Sequence, residues 1–194
     1  MLVLIGPSAS GKTESAKIMI NRYPISRVVT CTTRPKRLNE IEGFDYHFLS
    51  PEEFLLKKNQ GYFIETTHYN QYYYGTPKNE LGDDKFIILD PVGLQSILSK
   101  GMPLVAIYLK TKEETRIERM KLRKDSLENI KSRIKADRKE FNIHKIKGLD
   151  LIIDTTDKSL SEVADLIYIN YQTILEKKKA GIEQLSLFDE NKTI

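Results

Sequence analysis

Eight residues near the start of the chain, Gly6-Pro7-Ser8-Ala9-Ser10-Gly11-Lys12-Thr13, fit the pattern G-x-x-x-x-G-K-[ST]. That spacing suits one task. Glycines let the backbone curl so that successive N–H groups point inward at phosphate oxygens. Lys12 neutralises phosphate charge, and Thr13 offers a hydroxyl to Mg²⁺. The run before the loop, Leu2 to Ile5, reads as a short buried strand. The run after it, Lys12 to Arg22, reads as a helix with Ala16, Ile20 and Tyr23 on one face. Strand, loop and helix are the context in which this motif holds a nucleoside triphosphate. Ala9 is tolerable inside the loop if its backbone avoids positive φ.

A donor loop needs an acceptor site, and three further stretches carry suitable chemistry. In "TCTTRPKRLNEIEGFDYHF" (residues 30–48), Arg34 and Arg37 flank Pro35 and Lys36, and Tyr46 follows. Arginine grips phosphate through a planar fork of charge-assisted bonds. In "YFIETTHYNQYYYGT" (residues 62–76), Glu65 lies in a strand-like run that ends at Tyr74-Gly75-Thr76. In "IILDPVG", Asp90 stands just past the carboxyl end of a core strand, where ligands bind in open parallel sheets. A carboxylate accepts from the ring N–H and exocyclic amine of guanine, a donor pair that adenine lacks. Glu65 and Asp90 beside a base would therefore favour guanine, with Thr30 and Thr76 donating to its carbonyl. Spacing alone does not assemble these groups.

The elements that must position them alternate. Strands are predicted at Leu2–Ile5, Val28–Cys31, Lys85–Leu89, Leu104–Leu109 and Leu151–Asp154. Helices are predicted at Lys12–Arg22, Val92–Ser99, Lys112–Leu122, Ser126–Lys147 and Leu160–Lys178. This rhythm implies an α/β fold, a parallel sheet flanked by helices. Residues 30–84 break it and read as an inserted lobe of short antiparallel strands around one helix. Ser50, Pro51 and Glu53 mark that helix's start as N-cap, first helical residue and capping-box partner. With 194 residues, 40% hydrophobic and 30% charged, the chain suits one soluble globular domain. No apolar run reaches the length of a membrane span, and "MLVLIGP" reads as a core strand rather than a signal peptide. The lone Cys31 suits a reducing cytoplasm. His47, His68 and His144 lack metal-ligand spacing.

"GPSASGKT", "TTRPKRLNEIEGFDY", "FIE…YYYGT" and "ILDPVG", in this order, resemble the guanylate kinase family over about residues 2–155. The resemblance implies ATP and Mg²⁺ on Gly6–Thr13 and GMP in the lobe. It implies a phosphate grip of Arg34, Arg37, Tyr46 and Tyr74, and base readers Thr30, Glu65, Thr76 and Asp90. It also implies a helical lid whose arginines map to Arg119, Arg123 and Arg133; Arg116 and Arg138 are read as surface residues. Asp154 stands where the family has Asn near the adenine. The chain departs from the family at Ala9, Glu14, Pro35, Asn39 and Ile88, the last where the family has an acidic residue. The implied layout is one domain over 1–178: core about 1–29, 85–111 and 148–178, nucleoside-monophosphate lobe about 30–84, and lid about 112–147. A tail covers 179–194. The implied reaction is in-line phosphoryl transfer from ATP to GMP or dGMP, with no membrane and no direct nucleic-acid partner. Two alternatives stand: a related kinase with another phosphorylated acceptor, and a silent binding module of the same fold. In the tail, Gln184, Leu185, Leu187 and Phe188 resemble the short peptide by which bacterial replication proteins bind the sliding clamp.

Overall fold

The computed structural model describes residues 1–36, 38, 40–69 and 71–181. Its larger sheet is wholly parallel. Strands β1 (Leu2–Ile5), β2 (Ser26–Arg27), β7 (Lys85–Ile88), β8 (Val105–Lys110) and β9 (Leu151–Asp154) lie in the order β2-β7-β1-β8-β9. β1 shows why such a strand is apolar throughout. Leu2 and Leu4 face a core with α1 (Lys12–Arg22) and α6 (Leu160–Lys179), where Met19, Ala164, Ile167 and Tyr171 are buried. Val3 and Ile5 face the opposite core, against Leu94 and Ile97 of α3 (Pro91–Leu98). Both faces are covered, so successive side chains all avoid water.

The smaller sheet runs β4-β3-β6-β5, built from β3 (Cys31–Thr32), β4 (His47–Phe48), β5 (Phe63–Tyr69) and β6 (Tyr72–Pro77). β3–β6 and β5–β6 are antiparallel, whereas β3–β4 is parallel, a departure from the expected pattern. Helix α2 (Pro51–Asn59) starts as its sequence predicts: Ser50 and Glu53 exchange capping-box bonds and Pro51 opens the first turn. Phe54 stacks on Phe63 and Tyr73, seating α2 on the sheet.

Three other expectations change. The strand predicted at Val28–Cys31 is two short ones, because the chain leaves the large sheet at β2 and enters the small one at β3. The long helix predicted over Ser126–Lys147 is α5 (Leu127–Glu140), which follows α4 (Glu113–Leu122). Beyond α5, Asn142 accepts from His144 N–H and opens a 3₁₀ turn. This turn lets Phe141, Ile143, Ile146 and Leu149 cover the α3 side of the core. In α1, Met19 rather than Ile20 is buried, because the face that packs on α6 carries Met19; Ile20 is 39% exposed.

Candidate active site

The loop between β1 and α1 turns tightly enough to require glycine at Gly6. A Cβ there would lie 2.6 Å from the Leu109 carbonyl oxygen of β8, and φ is 153°. Gly11, at φ 101°, precedes α1 and leaves that helix's first N–H groups uncapped by its own side chain. Ala9 corrects the sequence reading: its φ is 61°, in the left-handed region. Its side chain packs beside Met120, Ile130 and Ile134 of the α4–α5 hairpin.

Lys12 folds back along the loop. Its Nζ donates to the Gly6 carbonyl and, at 2.8 Å, to the Pro7 carbonyl. Burial pulls its pKa down to about 8, with Asp137 opposing and Arg116 adding to the effect. Thr13 is exposed at the start of α1.

A cleft of about 280 Å³ opens beside the loop. It is lined by Lys12, Thr13, Arg119 and Arg123 and walled by Leu122 and Leu160. Arg119 donates to the Ala9 carbonyl at 3.2 Å and to the Thr155 carbonyl at 2.8 Å, which holds its guanidinium over the loop. The Thr155 hydroxyl in turn donates to the Ser10 carbonyl. Arg123 is half-exposed beside Asp125. Arg133 is exposed on α5 and does not line this cleft. Asp154 ends β9 and accepts from Thr156 N–H, also outside the cleft. Leu122 and Leu160 carry no signal in the sequence, because an apolar wall has no motif.

In the lobe, the Thr76 hydroxyl donates to Glu65 at 2.6 Å across β5 and β6. Burial pushes the Glu65 carboxyl up, the Thr76 bond opposes this, and nearby Asp90 adds to the rise. Asp90 sits after β7 and caps α3, accepting from Gly93 N–H at 2.7 Å. Leu89 N–H donates to the Leu4 carbonyl, so Asp90 and the loop leave adjacent strands at the same end. The Thr30 carbonyl accepts from His47 N–H. Arg34 pairs with Glu40 at 2.6 Å and lies near the faces of Tyr46 and Phe48. Tyr74 meets Tyr46 edge to face. The structure therefore brings Arg34, Tyr46 and Tyr74 together in one cluster, and Glu65, Thr76 and Asp90 in another. Arg37 and the tail residues Gln184, Leu185, Leu187 and Phe188 lie outside the described residues.

Of the two arginines read as surface residues, Arg138 is exposed and clasps Glu113 through two bonds. Arg116 is the correction. It is 5% exposed and bonded to Asp137, itself 6% exposed. Among the described residues no cluster of His, Cys, Asp and Glu could hold a metal ion, and no helix is long and apolar enough to cross a membrane.

Comparison with known proteins bears on the family and the fold. The chain is 31% identical over 204 aligned positions to a guanylate kinase of Helicobacter pylori, an alignment spanning 100% of this chain and 97% of the relative. It is 44% identical over 77 residues to a guanylate kinase of Lawsonia intracellularis, covering 39% of this chain and only 36% of that relative. The fold superposes on the crystal structure of a guanylate kinase from Anaplasma phagocytophilum with a TM-score of 0.64 and 24% identity, covering 94% of this chain and 96% of the other. A sequence model of guanylate kinase matches residues 1–169, which take in the phosphate loop, the lobe and the α4–α5 hairpin alike. With every part of the site inside one continuous match, the chain belongs to the guanylate kinase family.

Proposed function

We propose that this chain phosphorylates GMP, and dGMP in the same site, at the expense of ATP. The observation that carries this is the pairing of an intact phosphate loop with Glu65, Thr76 and Asp90 gathered at the adjoining strand ends. ATP lies on Gly6–Thr13. GMP lies in the lobe, its phosphate gripped by Arg34, Arg37, Tyr46 and Tyr74, its base read by Thr30, Glu65, Thr76 and Asp90. Asp154 reaches towards the adenine.

An oxygen of the GMP phosphate attacks the γ-phosphorus in line. The bond to the β–γ bridging oxygen breaks, and ADP leaves with the electron pair. No general base is required, because a phosphate monoester is largely ionised near neutrality. Lys12, Arg34, Arg119, Arg123 and Arg133 position the groups and offset the developing charge. Arg133 reaches the phosphates only once the lobes close and exclude water. The donor set fits Mg²⁺: it keeps most of its waters and binds through substrate phosphates, so the Thr13 hydroxyl suffices from the protein. When bound, the ion neutralises phosphate charge. We place the enzyme in the cytoplasm, where the buried Cys31 thiol, pushed up to about 11 by burial, stays reduced.

Beyond the matched 1–169, the QLSLF peptide at 184–188 is assigned to a bacterial sliding clamp; a pulldown that fails at high clamp concentration disposes of it. The kinase reading is tested by ADP release from ATP–Mg²⁺ with GMP, dGMP, AMP, CMP, UMP and IMP. Fast turnover confined to GMP and dGMP supports it. ATP binding without turnover on any acceptor overturns it.

A further inference from the structure

Arg116 on α4 and Asp137 on α5 are charged, buried and absent from the mechanism above. Arg116 Nη1 donates to Asp137 Oδ2 at 2.6 Å. The same Oδ2 accepts from the backbone N–H of Ser8 at 3.0 Å, and Oδ1 accepts from the Ser8 hydroxyl at 3.2 Å. Arg116 Nη1 also donates to the Ser8 carbonyl at 3.4 Å. One residue of the phosphate loop is thus held at its N–H, its hydroxyl and its carbonyl by two helices remote in sequence.

Stability does not account for such a pair. Desolvating two charges commonly cancels their attraction, and an apolar pair of similar volume is often as stable or more so. Here the cost is higher, because Arg116 Nε is buried without a partner. Geometry does account for it. Ser8 adjoins Ala9, whose left-handed backbone is strained for an L-residue. Strained residues persist only where their surroundings over-determine them. Asp137 and Arg116 clamp one side of Ala9 at Ser8, and Arg119 holds the Ala9 carbonyl itself. Electrostatics explains why both charges are present. A lone carboxylate beside the loop would repel a triphosphate, and Arg116 cancels it while leaving the acceptor oxygens in place.

We propose that Arg116 and Asp137 are a positioning pair for the donor nucleotide: they hold Ser8, and through it the turn at Ala9, in the arrangement that receives the triphosphate. This rests on the reading of the loop as the ATP site.

The test compares the parent with R116M/D137L, which replaces the ion pair by apolar side chains of similar volume, and with D137N, which keeps an acceptor oxygen for Ser8 N–H. ATP–Mg²⁺ affinity is measured by calorimetry, KM for each substrate by ADP release, and Tm by thermal unfolding. The double variant is expected to melt no lower than the parent. Its Kd and KM for ATP should rise about 10-fold, equivalent to about 1.4 kcal/mol, with KM for GMP unchanged, and D137N should recover most of the loss. A folded double variant with the parent's ATP affinity overturns the proposal. So does a parallel loss of ATP affinity, GMP affinity and Tm, which marks a merely structural role. Should the double variant not fold, D137N against D137A decides, measured below both melting points: equal ATP affinity overturns the proposal, weaker binding by D137A alone supports it. A parent without turnover on any acceptor, whose ATP affinity still depends on the pair, would end the kinase reading and leave this one standing.

Discussion

Glu65→Gln should make the protein more stable and a worse enzyme. Glu65 is pushed up from its ordinary 4.5 by burial and by Asp90, against the opposing Thr76 bond. Between 4.5 and the raised value the folded state binds more protons than the unfolded one. Stability from this group therefore falls as pH rises through that window, and at neutral pH the ionised carboxylate burdens the fold. Glutamine removes the charge and still accepts from the Thr76 hydroxyl, now 2.6 Å from Glu65. E65Q should therefore melt above the parent at pH 7, with the gain shrinking towards pH 4. Catalysis should move the other way. Glutamine offers one oxygen and one amide donor where guanine presents two donors, so a charge-assisted bond is lost. Such bonds are worth about 1.5–3 kcal/mol, or roughly 10- to 150-fold in kcat/KM for GMP. The assays are ADP release with GMP varied at saturating ATP, and thermal unfolding at pH 4.5 and 7. GMP turnover within about two-fold of the parent would remove Glu65 from the base-reading site. A lower melting point at pH 7 would show that the carboxylate supports the fold rather than straining it.

Gly6→Ala forces a Cβ to 2.6 Å from a main-chain oxygen in a buried strand, at a backbone angle that disfavours alanine. Strain of about 1–3 kcal/mol and overlap of similar size should lower Tm by roughly 10 °C, read by thermal unfolding; an unchanged melt refutes the assigned turn. Lys12, with a pKa of about 8, is charged at pH 7 and discharges as pH rises through that value. KM for ATP should therefore climb above about pH 8, well before an ordinary lysine would titrate, and a flat profile to pH 9.5 contradicts this. Ala9→Gly relieves the left-handed strain, so it should restore more ATP affinity in the R116M/D137L background than it adds to the parent. Strict additivity between the two changes, within about 0.5 kcal/mol, would show that the clamp and the turn are unconnected.

What could be read from sequence was what is local. The β1–α1 loop, Lys12–Arg22 and Leu151–Asp154 lie where the sequence predicts them, because strand, turn and helix signals fall within a few residues of one another. The capping box at Ser50 and Glu53 was legible for the same reason. The two-sheet path of residues 26–32 was not, because the choice of partner edge is made by residues more than forty positions on. The lobe clusters needed the fold as well: Glu65 meets Thr76 across a hairpin, but meets Asp90 only through packing of β5 near the start of α3.

Arg116 and Asp137 show how a general rule hid a specific signal. Charged residues on helices are usually solvated, which is why Arg116 reads from sequence as a surface residue. Yet Arg116 lies four residues before Met120, and Asp137 lies three and seven after Ile134 and Ile130, all of them buried. Each charge thus sits on the apolar stripe of its helix, and the two helices are consecutive. One positive and one negative charge on facing apolar stripes is the pattern of a buried pair, because neither could be desolvated alone. The same logic connects them to the loop. Ala9 departs from the glycine usual at its position and keeps a glycine-like backbone, so something outside the loop must hold it there. The hairpin that carries Arg116, Arg119 and Asp137 supplies contacts to Ser8 and Ala9 together. The Gly6–Thr13 loop of this chain is therefore shaped jointly by its own residues and by the hairpin across from it.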